Sequence, residues 1–159
     1  MTGAAAVLAA ARKAGVMIAT AESCTGGMIA AALTEIAGSS DVVDRGFVTY
    51  SNAAKVEMLG VRPDTLATHG AVSEDTAAEM AAGALVRSRA GVAVSVTGIA
   101  GPGGSATKPE GRVCFGIADA GGVRTETVEF GAIGRAQVRA AATAHALALL
   151  LAALQPAKD

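Results

Sequence analysis

The chain has 159 residues, 52% of them hydrophobic and 17% charged, a formal net charge of −1 and a mean hydropathy of +0.45. That length suits one compact domain, residues 1–159, with a core large enough to need neither disulfide nor metal. The near-neutral charge without a basic run excludes the counterion-release binding on which nucleic-acid partners depend, and a surface so poor in charge points to a homo-oligomer.

Met1-Thr2-Gly3-Ala4 lacks the basic segment and apolar core of a signal peptide. The longest uncharged run, Ala140 to Gln155, is shorter than the roughly 18 apolar residues of a membrane span. A cytoplasmic protein with no membrane partner is expected. Cys24 and Cys114 fit no metal-ligand spacing and no secreted disulfide framework, so they read as buried thiols in a reducing compartment and no metal is expected.

Residues 2–14 form an alanine-rich helical stretch that Gly15 closes. The apolar run Val16 to Ala19 predicts a strand, and Met28, Ile29, Leu33 and Ile36 then recur at helical spacing until Gly38. Between them lies Ala21-Glu22-Ser23-Cys24-Thr25-Gly26-Gly27, a strand-to-helix junction rich in hydroxyls and glycine. Ser23 or Thr25 there serves either as a helix cap or, with the unpaired N–H groups of the first turn, as a site for an anion or a developing oxyanion.

A second strand is expected over residues 45–50, and Ser51-Asn52 caps a short helix from Ala53 to Leu59 that stops at Gly60. Residues 65–68 predict a brief helical turn, and Ser73 caps a helix running to about Arg89, with Glu74 and Asp75 suited to its positive end. Val92 to Val96 predicts a third strand. It leads into Thr97-Gly98-Ile99-Ala100-Gly101-Pro102-Gly103-Gly104-Ser105, expected to be a mobile loop.

Residues 112–118 and 123–130, separated by Gly121-Gly122, predict an antiparallel hairpin, and a helix from Arg135 to Leu154 completes the chain. The implied fold is α/β: a three-layer α/β/α arrangement around a mixed, mainly parallel sheet with an antiparallel edge hairpin.

Ligands of open parallel sheets bind beyond the carboxyl ends of the strands. Three such ends carry marked clusters: Glu22, Ser23, Thr25, Gly26 and Gly27; Tyr50, Asn52 and Lys55; Thr97 with Gly98, Gly101 and Gly103. A serine hydroxyl needs a base to become a nucleophile. His69 lies in a connecting turn and His145 within an apolar helix, which leaves Lys55, whose amine becomes a base once burial lowers its pKa. Tyr50 then relays the proton or assists the leaving group. Cys24 is a rival nucleophile or a small apolar residue facing the sheet. The glycine loop has neither the Walker spacing nor the dinucleotide fingerprint, yet offers N–H groups to a phosphate.

The motifs at residues 21–27, Thr49-Tyr50-Ser51-Asn52-Ala53-Ala54-Lys55, His69-Gly70-Ala71-Val72-Ser73, and residues 96–104 with Lys108-Pro109 resemble the CinA C-terminal domain family over nearly the whole chain. The resemblance implies the activity of that family's nicotinamide-nucleotide amidohydrolases, which convert nicotinamide mononucleotide and water into nicotinate mononucleotide and ammonia in pyridine-nucleotide salvage, without a cofactor. It implies Ser23 as nucleophile, with Tyr50 and Lys55 completing a serine–lysine site and Thr97 contributing. Helix start and glycine loop compete for the substrate phosphate.

Many relatives carry Gly-Asp-Arg where this chain has Ile133-Gly134-Arg135, although Val138-Arg139 is retained, which leaves the roles of Arg135 and Arg139 open. The longer members also carry an N-terminal domain not found here, so a stand-alone deamidase is expected. The alternative is a non-catalytic nucleotide-binding module of the competence or damage-inducible type, which would keep the glycine loop without needing Lys55.

Overall fold

In the computed structural model, which describes residues 2–156, the elements in chain order are α1 (Gly3–Ala14), β1 (Ile18–Glu22), α2 (Met28–Thr34), β2 (Val43–Val48), α3 (Asn52–Leu59), α4 (Pro63–His69), α5 (Glu74–Val86), β3 (Val92–Gly98), β4 (Arg112–Asp119), β5 (Gly122–Glu129) and α6 (Arg135–Leu154). The five strands form one sheet in the order β2-β1-β3-β4-β5. β1 pairs in parallel with β2 and β3, while β3–β4 and β4–β5 are antiparallel. The mixed sheet and edge hairpin agree with the sequence pattern, and β1, β2 and β3 end at the same rim.

Strand alternation sorts the two faces by size. Val92, Val94 and Val96 join Ile18, Phe115 and Ile117 in a core against α1, α2 and α6, which contribute Val7, Leu8, Ile29, Leu33, Val138 and Leu150. The opposite face carries Ala19, Ala21 and Ala93 with Leu59, Met80 and Ala84. Small side chains there let α5 lie almost on the backbone of the sheet. Ser95 Oγ donates to Ala77 O at 2.6 Å, and a Cβ on Gly116 would fall 2.6 Å from the same oxygen.

Several boundaries move for physical reasons. β1 starts two residues later than the apolar run suggests and ends three later, the later end because Thr20 and Glu22 are buried polar residues inside a strand. β2 begins and ends earlier than expected. α2 stops at Thr34, whose hydroxyl donates to Ala30 O at 2.8 Å and satisfies the carbonyl of the preceding turn, instead of reaching Gly38. The expected turn at 65–68 is a full helix started by Pro63. α6 is, by length and composition, apolar enough to cross a membrane, but its stripe of Val138, Ala142, Ala146, Leu150 and Leu154 is buried in the core beneath the sheet.

Candidate active site

Period-two alternation separates two neighbours at the end of β1: Glu22 falls on the α2 face and Ser23 on the other. The Glu22 carboxylate, fully buried, accepts from Thr25 Oγ1 at 2.6 Å, Ile29 N at 2.9 Å and Ala30 N at 3.0 Å. It therefore supplies the cap that Gly27 lacks, and the first N–H groups of α2 are already occupied. Glu22, Thr25, Gly26 and Gly27, expected at the substrate, do not line the cavity described below. Gly26 and Gly27 take positive φ, 59° and 107°, to turn the chain into the helix.

Ser23 continues the β1–β3 ladder, its N–H donating to Val96 O at 2.9 Å, and its side chain meets Lys55. Ser51 caps α3 by accepting from Ala54 N at 3.0 Å, which places Lys55 one turn into the helix and pointing back to the rim. Lys55 is 1% exposed. Its Nζ lies 2.9 Å from Ser23 Oγ, 2.9 Å from Thr49 O and 3.2 Å from Tyr50 O. Burial lowers the pKa of this amine from the ordinary 10.5, with nearby Cys24 acting the other way.

The cavity over this pair, about 370 Å³, is lined by Ser23, Cys24, Tyr50, Asn52, Lys55, Ala71, Val72, Thr97, the segment 98–103 and Arg135. Three strand ends thus converge as the topology requires. Thr97 does not offer its hydroxyl freely: Oγ1 donates to Ala71 O at 2.8 Å. Tyr50, a residue 63% exposed, gives its carbonyl to Lys55, while its phenol accepts from Arg135 Nη2 at 3.1 Å at the mouth. The thiol of Cys24 is pushed up to about 11 by burial, so it stays protonated at neutral pH and is the poorer nucleophile.

The glycine loop is tied down rather than free. Gly103 N donates to Glu110 Oε1 at 2.5 Å, Gly111 N to Ile99 O at 2.8 Å, and Arg135 Nη1 to Gly101 O at 2.7 Å. Gly101 has φ 93°, and a side chain there would run into Glu110. Sequence reasoning left Arg135 and Arg139 without a role. Arg135 bridges Tyr50 to the loop, and Arg139 Nε donates to Cys24 O at 3.0 Å, bracing the turn after Ser23. Their spacing of four on one helix face was the available signal; the docking of α6 on β3 and β4, against α1 and α2, was not readable from the sequence.

Neither histidine joins the site. His145 packs 4.6 Å from the Phe115 ring and bonds to Glu126, and His69 faces Asp75 at 3.4 Å. No group of metal-ligating side chains occurs among the described residues.

A family model described as the CinA C-terminal domain matches residues 2–154. The chain is 56% identical over 137 residues to the nicotinamide-nucleotide amidohydrolase PncC of Escherichia coli K12, covering 86% of this chain and 83% of that protein. A CinA-like protein of Chlorobium phaeobacteroides is 60% identical over 122 residues, covering 74% of this chain, which spans only 29% of that longer relative. Among solved structures, the competence/damage inducible protein CihA of Agrobacterium tumefaciens matches at 55% identity and a TM-score of 0.87, covering 94% of this chain and 96% of that one. The competence damage-inducible protein A of Klebsiella pneumoniae matches at 41% identity and a TM-score of 0.91, covering 96% and 94%. On this evidence of sequence and fold, the chain belongs to the CinA C-terminal domain family.

Proposed function

We propose that the chain hydrolyses the carboxamide of nicotinamide mononucleotide to nicotinate mononucleotide and ammonia, with Ser23 as nucleophile and Lys55 as general base. The observation that carries this reading is the environment of the Lys55 amine. A neutral amine has two N–H donors and one lone pair. Thr49 O and Tyr50 O can only accept, so they take both donors and leave the lone pair for the Ser23 hydroxyl. The protein thus both favours the basic form, by burial, and aims it.

In the acylation step Lys55 takes the Ser23 proton as Oγ attacks the carboxamide carbon. The N–H groups of Cys24 and Thr25, next along the chain, have no acceptor among the described residues and are the candidate donors to the oxyanion. The tetrahedral intermediate collapses with cleavage of the C–N bond, the Lys55 ammonium gives its proton to the leaving nitrogen, and ammonia departs. Water, deprotonated by Lys55, then attacks the acyl-enzyme and releases the carboxylate product with Ser23 restored. Asn52, Thr97, Gly98, Gly101 and Gly103 line the space for the nucleotide, with Tyr50 and Arg135 at its mouth.

The relationship to the amidohydrolase of Escherichia coli, over 83% of that protein, supports the choice of substrate. The proposal includes a single domain working in the cytoplasm as a homo-oligomer, without metal, organic cofactor, nucleic acid or membrane partner. Incubation with nicotinamide mononucleotide tests the reaction: ammonia and nicotinate mononucleotide should form in equal amounts, and saturable binding without turnover would instead identify a binding module. Light scattering of the purified chain tests the oligomer.

A further inference from the structure

Ala71 and Val72 line the cavity from the turn at residues 69–73, and every carbonyl from His69 to Val72 is held by a side chain. Gly70 O accepts from Ser73 Oγ at 3.0 Å and from Thr76 Oγ1 at 2.8 Å, and Ala71 O accepts from Thr97 Oγ1 at 2.8 Å. His69 O, at 2.5 Å, and Val72 O both accept from the ammonium of Lys108, which comes from the far end of the glycine loop. No carboxylate lies within ion-pair distance of that ammonium among the described residues, so its charge is spent on these carbonyls.

Lys108 is itself fixed at its backbone. Its N–H donates to Ser105 Oγ at 3.1 Å, and its carbonyl accepts from Ser105 N at 2.9 Å. The side chain therefore links the 69–73 turn to the far end of the 98–111 loop, as Thr97 Oγ1 links the same turn to the loop's start. The turn in turn presents Ala71 and Val72 to the cavity, and their N–H groups have no acceptor among the described residues. Those donors are available to an oxygen of whatever occupies the space.

We propose that Lys108 is a positioning residue that clasps the turn and the loop together and thereby sets the fit of the bound nucleotide. It touches neither Ser23 nor Lys55, so its contribution falls on binding and not on the proton transfer. The choice of nucleotide rests on the amidohydrolase reading; the clasp does not.

Two measurements on Lys108→Met, which keeps the apolar stem and removes the donors, judge it. Hydrogen exchange should accelerate about tenfold at Gly70, Gly103 and Ser105, whose amides are bonded in the resting structure, while β1 and β3 are unchanged. KM for nicotinamide mononucleotide should rise about tenfold with kcat within about twofold, and Lys108→Arg should recover most of the loss. Unchanged exchange overturns the clasp. Faster exchange with KM unaltered, or a fall in kcat alone, shows that the link serves stability and not substrate fit. An unmutated enzyme that gives no turnover refutes the substrate assignment, and the exchange data still decide the clasp.

Discussion

Two β–α junctions lie side by side at the same rim, and each buries an ionisable side chain: Glu22 at the end of β1, and Lys55 in the first turns of α3. Their surroundings differ in kind. Every bond to the Glu22 carboxylate comes from a group with no chemistry to perform, two helix N–H groups and a threonine hydroxyl. Lys55 has two mute carbonyls and one reactive hydroxyl. A buried ionisable group bonded only to inert partners specifies structure, whereas one whose last partner is itself a potential nucleophile is poised to exchange a proton.

The contrast breaks most sharply under substitution. Ser23→Ala and Lys55→Met should each lower kcat by about a thousandfold or more while the protein remains folded by circular dichroism. Equal ammonia release from either variant would leave the two buried groups functionally alike and end the serine–lysine assignment.

The pH profile sharpens the same point. Burial holds the Lys55 pKa below 10.5, so the basic form grows as pH rises and kcat/KM should climb about tenfold per unit on the acid limb, levelling off at a pH where an exposed lysine is still charged. Between the depressed value and 10.5 the unfolded chain binds the extra proton, so this group makes stability rise with pH across that window. A rise in kcat/KM centred near 10.5 would mean that burial does not tune the amine.

At Glu22 the expected loss is of folding. Glu22→Ala leaves two helix N–H groups and a hydroxyl buried without an acceptor, a cost of about 3 kcal/mol in urea denaturation. Full stability in that variant would show that the cap is dispensable. The smallest effect belongs to His145 in the antiparallel half: His145→Ala should cost about 1 kcal/mol through its lost contacts with Phe115 and Glu126, with kcat/KM within about twofold. A catalytic defect there would reopen the search for the base.

Much of this was legible in one dimension. Apolar periodicity and end signals located the five strands and the longer helices to within a few residues, because burial on one face repeats along the chain at the period of the element. Glycine at 15 and 60 and serine at 51 and 73 marked ends through local backbone geometry alone. The polar strand ends named Ser23, Tyr50, Lys55 and Thr97, since parallel strands must deliver their carboxyl ends to one rim.

What the sequence by itself determined was the set of elements, the parallel rim and the residue types gathered there, all consequences of local pattern. Only the tertiary structure decided which of those residues meet. Glu22 and Ser23 are adjacent in sequence, yet the pleat sends one into the α2 cap and the other to Lys55, 32 positions on. Arg135 reaches the cavity, and Arg139 and Lys108 brace the turns around it, from segments whose approach depends on how helices dock on the sheet and how loops fold back, and sequence spacing holds no measure of those distances.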